Sequence, residues 1–377
     1  MLNKGFEVEM YTGTYDAEII GLSDKISRDL EGFEREPDAR NVEYITSPTR
    51  DYKESICKLI QPRVALREYL KSRNYTIIPG STMSLGDTKK FVRSYPDNPY
   101  HDFIEQTYGT DVVTASIHIN LGIEEDVEVL MRACRVIRME ASMYLAMSTS
   151  SPFIDNQVTG YHSTRWKRFP KTPKIVPVFS NHQHYIDWML QQIEEKNMQN
   201  VRHLWTSVRP NGSKRPYDLN RLELRICDLI SDPVELVTLT ALLEARVLQI
   251  IHDETIDPLN KNFSNEELRI IADDNDEKAA EESLEAQVTN WATGESVVIR
   301  DWINDIYNQV HPIAKEHGFA CFLEKVPAML DRGSISQQWL NLYNSGNSIQ
   351  DILKSAIQTN IVREQEIFAM ACCCDKS

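Results

Sequence analysis

No stretch of eighteen apolar residues occurs in the 377-residue chain, so no transmembrane helix is expected. Glycine is sparse, with 14 residues, and neither GxxxxGK[ST] nor a strand-coupled GxGxxG is present. A glycine-rich phosphate cradle is thereby excluded. Cations are also short: 41 Lys and Arg face 56 Asp and Glu, for a net charge of −15. Nucleic acids and anionic membranes are bound by clustered Lys and Arg, so neither is an expected partner. A phosphorylated small ligand stays open, because Mg²⁺ bridges carboxylate to phosphate. The cysteines number seven, with Cys57, Cys134, Cys227 and Cys321 dispersed and Cys372-Cys373-Cys374 adjacent. That pattern is neither a disulfide framework nor a CxxC zinc site, and it suits a reduced, cytoplasmic setting. The first residues are acidic rather than basic-then-apolar, so no secretory signal is expected.

An apolar content of 41% supports a sizeable core. Strands are expected over about 4–10, 42–46, 75–79, 113–121, 203–209 and 221–228. Helices are expected over about 51–73 (disturbed at Pro62), 124–147 and 182–196. From 232 onward nearly everything reads helical: 233–251, 264–272, 276–291, 299–316, 324–331, 334–344 and 347–370. The charged run Asp273–Lys278 reads as a solvated break between two of these helices. Strands and helices first, then helices only, predict an α+β fold. The expected division is a sheet-containing catalytic region over 1–231 and a helical region over 232–377, packed into one domain.

Three strands share one polar logic. In Phe6-Glu7-Val8-Glu9-Met10, Glu7 and Glu9 alternate with apolar residues. Thr114, Ser116, His118 and Asn120 alternate in the same way with Ala115, Ile117, Ile119 and Leu121. Arg221, Glu223 and Arg225 alternate with Leu222, Leu224 and Ile226. Any one such strand is ordinarily the solvated face of an antiparallel sheet. Lysine, however, is absent from all three polar faces. The residues present are those that bind hard cations and phosphate: carboxylates and His for Mg²⁺, and Arg for phosphate. Glu43, in Val42-Glu43-Tyr44-Ile45-Thr46, is a fourth candidate. If the four strands are neighbours, one face holds four carboxylates, a His and two Arg. That charge calls for two or more divalent ions.

These residues resemble a known family. Gly5-Phe6-Glu7-Val8-Glu9, Glu43-Tyr44-Ile45-Thr46, His118-Ile119-Asn120 and Arg221-Leu222-Glu223-Leu224-Arg225 with Asp228 resemble, in order and spacing, the glutamate–cysteine ligases of the carboxylate–amine ligase superfamily. The cyanobacterial type is the nearest match. The resemblance implies a curved, largely antiparallel catalytic sheet of glutamine-synthetase type, helices on its outer face, and a helical C-terminal region. It implies ATP-dependent formation of γ-glutamylcysteine from L-glutamate and L-cysteine, the first step of glutathione synthesis, by a monomer or homodimer. Two or more Mg²⁺ (or Mn²⁺) are implied: one on Glu7, His118 and Glu223 at the nucleotide, a second on Glu9 and Glu43 nearer glutamate. Arg225 would contact the transferring phosphoryl group, with Arg221 and Glu223 also in the catalytic set. Asn120 and Arg209 (in Ser207-Val208-Arg209-Pro210) would contact nucleotide or substrate.

The resemblance has one departure: the family's GTHP-like turn is Pro79-Gly80-Ser81-Thr82-Met83 here, keeping only the glycine. Trp166, Lys167 and Arg168 suggest a loop over the nucleotide. His182 and His184 read as surface histidines, and the cysteine tail as an end without a role. The rivals are a γ-glutamyl ligase with another amine, a guanidino phosphotransferase, and a non-catalytic homologue. Replacing Glu7 or Glu223 by Ala is expected to abolish ATP turnover with the circular dichroism spectrum retained. Near-normal turnover by Glu7→Ala would refute the metal reading of the opening strand.

Overall fold

The computed structural model describes residues 1–372, so Cys373 and Cys374 of the cysteine tail lie outside the described residues. In chain order the strands are β1 (Lys4–Gly13), β2 (Phe33–Arg35), β3 (Asn41–Ile45), β4 (Thr76–Ile78), β5 (Ile117–Gly122), β6 (Phe153–Ile154), β7 (Gln157–Val158), β8 (Val208–Asn211), β9 (Arg221–Leu224), β10 (Gln287–Thr289) and β11 (Ser296–Val298). The helices are α1 (Ser23–Asp29), α2 (Tyr52–Lys71), α3 (Pro99–Tyr108), α4 (Val127–Ser148), α5 (Thr164–Arg168), α6 (His182–Glu194), α7 (Pro233–His252), α8 (Asn265–Glu282), α9 (Ile299–Glu316), α10 (Val326–Arg332), α11 (Ile335–Asn344) and α12 (Ile349–Cys372).

Seven strands form the main sheet in the order β2-β3-β1-β5-β9-β8, with β4 pairing the far end of β1. Every pairing is antiparallel, as expected. The apolar sets Phe6-Val8-Met10, Ile117-Ile119-Leu121 and Leu222-Leu224 are all buried in one core. The long helix α4 is buried all round from Ala133 to Ser148 apart from Arg135, which suits a central helix rather than a surface one. The same core includes Leu353 and Ile357 of α12. None of the described helices is long and apolar enough to cross a membrane.

Side-chain caps set the helix starts. Asp51 accepts from Glu54 N at α2, and Asp126 from Glu128 N at α4. Helix α2 runs through Pro62 without ending there. The surviving glycine, Gly80, has φ +95°, and a Cβ there would meet the Ser150 carbonyl at 3.1 Å, so backbone conformation and space both require glycine.

Four expectations are corrected. The run Asp273–Lys278 is not a loop, because α8 continues through it. Asp273 accepts from Arg269 one turn earlier at 2.7 Å, and Asn275 makes two hydrogen bonds to the Thr289 backbone. The helix expected to reach 291 ends at Glu282, where the chain turns into β10. The strand expected from 113 starts at Ile117, because beyond Tyr11 that flank of β1 is taken by β4. The strand expected from 203 starts at Val208, and Val201–His203 is a 3₁₀ turn. The elements α1, α3 and β2 were not anticipated.

One buried ion pair ties the chain start to α7. Lys4 Nζ lies 3.2 Å from Glu244, with both side chains fully buried, and Tyr52 also donates to that carboxylate. Lys4→Met leaves this charge without its cation. It is expected to destabilise the protein by about 3–5 kcal/mol in denaturant titration. An unchanged midpoint would show that the pair contributes nothing.

Candidate active site

Strand register brings the polar residues together. Glu7 is paired across from His118, Glu9 from Glu43, and Glu223 from both Asn120 and Arg209. Directly opposed residues share a sheet face, so five of these side chains project where the alternation predicts. Two carboxylate groups result. Within each, the available ligand atoms all lie within 4.8 Å of one another: Glu7-His118-Glu223 and Glu9-Glu36-Glu43.

The first group carries its own cations. Glu223 is fully buried and accepts from Arg209 Nε at 2.6 Å, Arg209 Nη2 at 3.0 Å, Asn211 Nδ2 at 2.7 Å, and Arg225. Burial opposes ionisation of Glu223, but Arg209 and Arg225 outweigh it and hold the carboxyl well below its usual range. Burial likewise opposes ionisation of Glu7. Here the 2.8 Å hydrogen bond and charge of His118 prevail, and its carboxyl too is lowered. The Glu7 bond requires a proton on His118 Nδ1, so the 3.3 Å approach of Arg225 Nη1 to that atom is a contact rather than a second hydrogen bond. Asn120 completes the group, donating to Glu7 at 3.1 Å and accepting from Arg221 at 3.1 Å.

The second group makes no ion pair with Lys or Arg among the described residues, although the charges of Arg225 and Arg165 reach Glu9. Burial, with Glu36 and Glu9 alongside, pushes the Glu43 carboxyl up to about 11. Burial and Glu9 push Glu36 up to about 8. Of the three carboxylates, Glu9 accepts from Ser116 Oγ at 2.6 Å. Three oxygen donors converging without a cation match the needs of a hard divalent ion such as Mg²⁺. Glu36 was missed because it follows the three-residue edge strand β2, in Glu34-Arg35-Glu36-Pro37-Asp38, which shows no readable periodicity.

Two clefts flank the face. One, of about 240 Å³, is lined by Glu9, Glu36 and Glu43, by Glu7 and His118 of the first group, and by Arg225, Arg165, Tyr100 and Trp205. The other, of about 470 Å³, is lined by Phe6, Ile45, Pro48, Ile123, Asn120 and Arg221. Glu7 lines both. Arg209 lines neither cleft. Four of its N–H donors go to Glu223 and to the Arg202 and Leu204 carbonyls, so it holds Glu223 rather than reaching a ligand. Glu223 is equally structural. Deleting it strands two arginines, so Glu223→Ala is now expected to lose stability as well as turnover. Trp166, Lys167 and Arg168 form α5 rather than a nucleotide loop; Trp166 is buried, and Lys167 and Arg168 pair with Glu277 and Asp111. Neither His182 nor His184 belongs to an acidic group; His182 Nε2 donates to the Pro216 carbonyl at 2.8 Å.

The profile described as glutamate-cysteine ligase family 2 matches residues 3–359. The chain belongs to this family. A relative in Sorangium cellulosum, provisionally named glutamate–cysteine ligase 2, is 26% identical over 328 residues, covering 84% of this chain and 83% of its own. A relative of the same provisional name in the cyanobacterium Gloeobacter violaceus is 25% identical over 240 residues, covering 62% and 60%. Among solved structures, a glutamate–cysteine ligase from Francisella tularensis in complex with AMP has a TM-score of 0.76 at 13% identity, over 98% of this chain and 92% of its own. A bifunctional glutathione synthetase from Pasteurella multocida has a TM-score of 0.74 at 15% identity, over 97% of this chain. The chain spans 53% of that enzyme's length. At these identities the two structures share the fold.

The raised carboxyls set a pH dependence. Cation-free folded protein keeps protons on Glu36 and Glu43 that the unfolded chain releases near 4.5, so its stability falls as pH rises from about 4.5 to about 8 and beyond. Mg²⁺ displaces those protons. The Mg²⁺-induced rise in Tm is therefore expected to be larger near pH 8 than near pH 6, with proton release in calorimetry. Equal rises without proton release would contradict the reading.

Proposed function

We propose that this family member joins the γ-carboxylate of L-glutamate to the amine of L-cysteine at the expense of ATP, giving γ-glutamylcysteine, ADP and phosphate. The observation that carries the proposal is the pair of adjacent acidic groups, with Arg225 beside the first and a cleft on either side of Glu7. Mg²⁺ held by Glu7, His118 and Glu223, and by Glu9, Glu36 and Glu43, would neutralise charge on the phosphoryl oxygens during transfer. The apolar wall of Phe6, Ile45, Pro48 and Ile123 suits the base of ATP. The 240 Å³ cleft suits the amino acids.

A carboxylate and an amine do not condense spontaneously in water, so the acid is first activated. The glutamate γ-carboxylate attacks the γ-phosphorus of ATP, ADP leaves, and γ-glutamyl phosphate forms. The cysteine amine then attacks the acyl carbon, phosphate leaves, and the amine loses a proton. Arg225 stabilises charge on the transferring group, and its guanidinium is itself aligned by Glu223. Without a metal, His118 donates its Nδ1 proton to Glu7 and fixes that carboxylate's orientation; a metal on Glu7, His118 and Glu223 would take the place of that proton. Arg165 is buried, is anchored on the Ile226 and Arg225 carbonyls, and keeps an unpartnered Nε in the cleft wall. That donor suits a substrate carboxylate. No protein nucleophile is needed.

Phosphate release from ATP and Mg²⁺ is expected to require both glutamate and cysteine. Dependence on glutamate with another amine would point to a sibling ligase, and turnover of a guanidine without glutamate to a phosphotransferase. Glu36→Gln is expected to raise the Mg²⁺ needed for half-maximal turnover roughly 10–100-fold. An unchanged requirement would remove Glu36 from the metal set.

A further inference from the structure

Two stretches with no part in the ligase chemistry, Trp166–Arg168 and Asp273–Lys278, meet at a separate cavity. Its volume is about 230 Å³, and its lining shares only Trp205 with the acidic cleft. Its acidic wall is α8. Asp273 is claimed by Arg269 and Arg138, and Glu277 by Lys167. Asp276 is different: it is 5% exposed, it pairs with no Lys or Arg within 4 Å, and its Oδ1 has no hydrogen-bond partner. Ser207 hydrogen-bonds it, and the charges that act on it are those of Asp273, Lys171 and Arg138.

Burial, with Asp273 beside it, pushes the Asp276 carboxyl well above its usual range, so it ionises fully only when a cation is brought to it, and an asparagine would fit the same space. The opposite wall is the reverse case. Lys171 Nζ sits 4.9 Å over the Trp166 ring and makes no ion pair among the described residues, and the same holds for Lys174. The Trp166 Nε1 donor, on a residue 2% exposed, is also unpartnered. Asp276 and the Lys171 and Lys174 ammonium groups thus line one small cavity without closing to ion-pair distance, although the Lys171 charge acts on Asp276 across it. A molecule carrying both charges would complete both walls, with its body against the Trp166 and Trp205 rings.

We propose that this cavity binds an α-amino acid as its zwitterion, with the ammonium on Asp276 and the carboxylate on Lys171, separately from the reaction cleft. Binding of this kind needs neither metal nor nucleotide, so it stands apart from the ligase reading.

The test is thermal denaturation of wild-type, Glu7→Gln and Asp276→Asn proteins with each of the twenty L-amino acids in turn, without Mg²⁺ or ATP. At least one amino acid is expected to raise the wild-type and Glu7→Gln midpoints. Its analogue lacking the amino group should not do so. In Asp276→Asn the affinity is expected to fall at least about tenfold, or 1.4 kcal/mol, with phosphate release unchanged. Without ligand, Asp276→Asn should match or exceed the wild-type midpoint, because it removes a buried carboxyl that has no ion pair with Lys or Arg among the described residues. Three results would each overturn the proposal: no amino acid shifting any midpoint, a shift that survives Asp276→Asn, or an unliganded Asp276→Asn less stable than wild type. The last would make Asp276 a structural partner of Lys171 in solution. Loss of phosphate release in Glu7→Gln with the amino-acid shift retained separates the two sites.

Discussion

Three carboxylates without a cation are the constraint on which the site depends. Antiparallel pairing of β1 with β3 sets Glu9 opposite Glu43, and the end of β2 brings Glu36 to the same point. With ligand atoms within 4.8 Å, any two of them fully ionised would repel by about 3.5 kcal/mol or more at an effective dielectric of about 20, so Glu36 and Glu43 hold protons until a cation is present. A protein under selection for stability alone would not retain that arrangement. The surrounding chain is built to keep it in place. Arg40 donates to both oxygens of Asp38, each at 2.8 Å, and to the Lys90 carbonyl at 2.7 Å, which pins the segment just after Glu36.

The neighbouring group solves the same problem internally. Glu223 lies among Arg209, Arg225 and Asn211, so it stays ionised when fully buried and acts as a fixed reference for the arginine that faces the cleft. The two groups divide the work. One is preorganised by protein charges, and under the proposed function ions would complete the other. Glu7, common to both clefts, lies where nucleotide and amino acid would meet. The C-terminal helices act at a distance: α7 anchors the first strand through Glu244 and Lys4, and α12 anchors α2 through Glu364 and Arg63 at 3.0 Å.

Much of this was legible in the chain itself. Period-two alternation places Glu7, His118 and Glu223 on the polar face because each strand has an unbroken apolar partner set. The α+β class follows from the order of elements, strands and helices first and helices only afterwards, and the antiparallel catalytic sheet is what the family resemblance implies. What was not legible depends on register or on long-range contact. Glu36 stands between a three-residue strand, too short for any period, and a proline. Arg209 resembles a ligand contact in Val208-Arg209-Pro210, yet the opposing Glu223 takes its donors. The run Asp273–Lys278 has the composition of a loop, but Arg138 and Arg269 neutralise Asp273, Lys167 pairs with Glu277, and the Thr289 backbone holds Asn275.

The central claim is that ions complete the acidic face. Mn²⁺ diffused into crystals of the protein, with data collected at the manganese absorption edge, tests it most directly. The expected result is anomalous density among Glu9, Glu36 and Glu43 and again among Glu7, His118 and Glu223. Anomalous density confined to other carboxylates, with neither group occupied, would contradict the account.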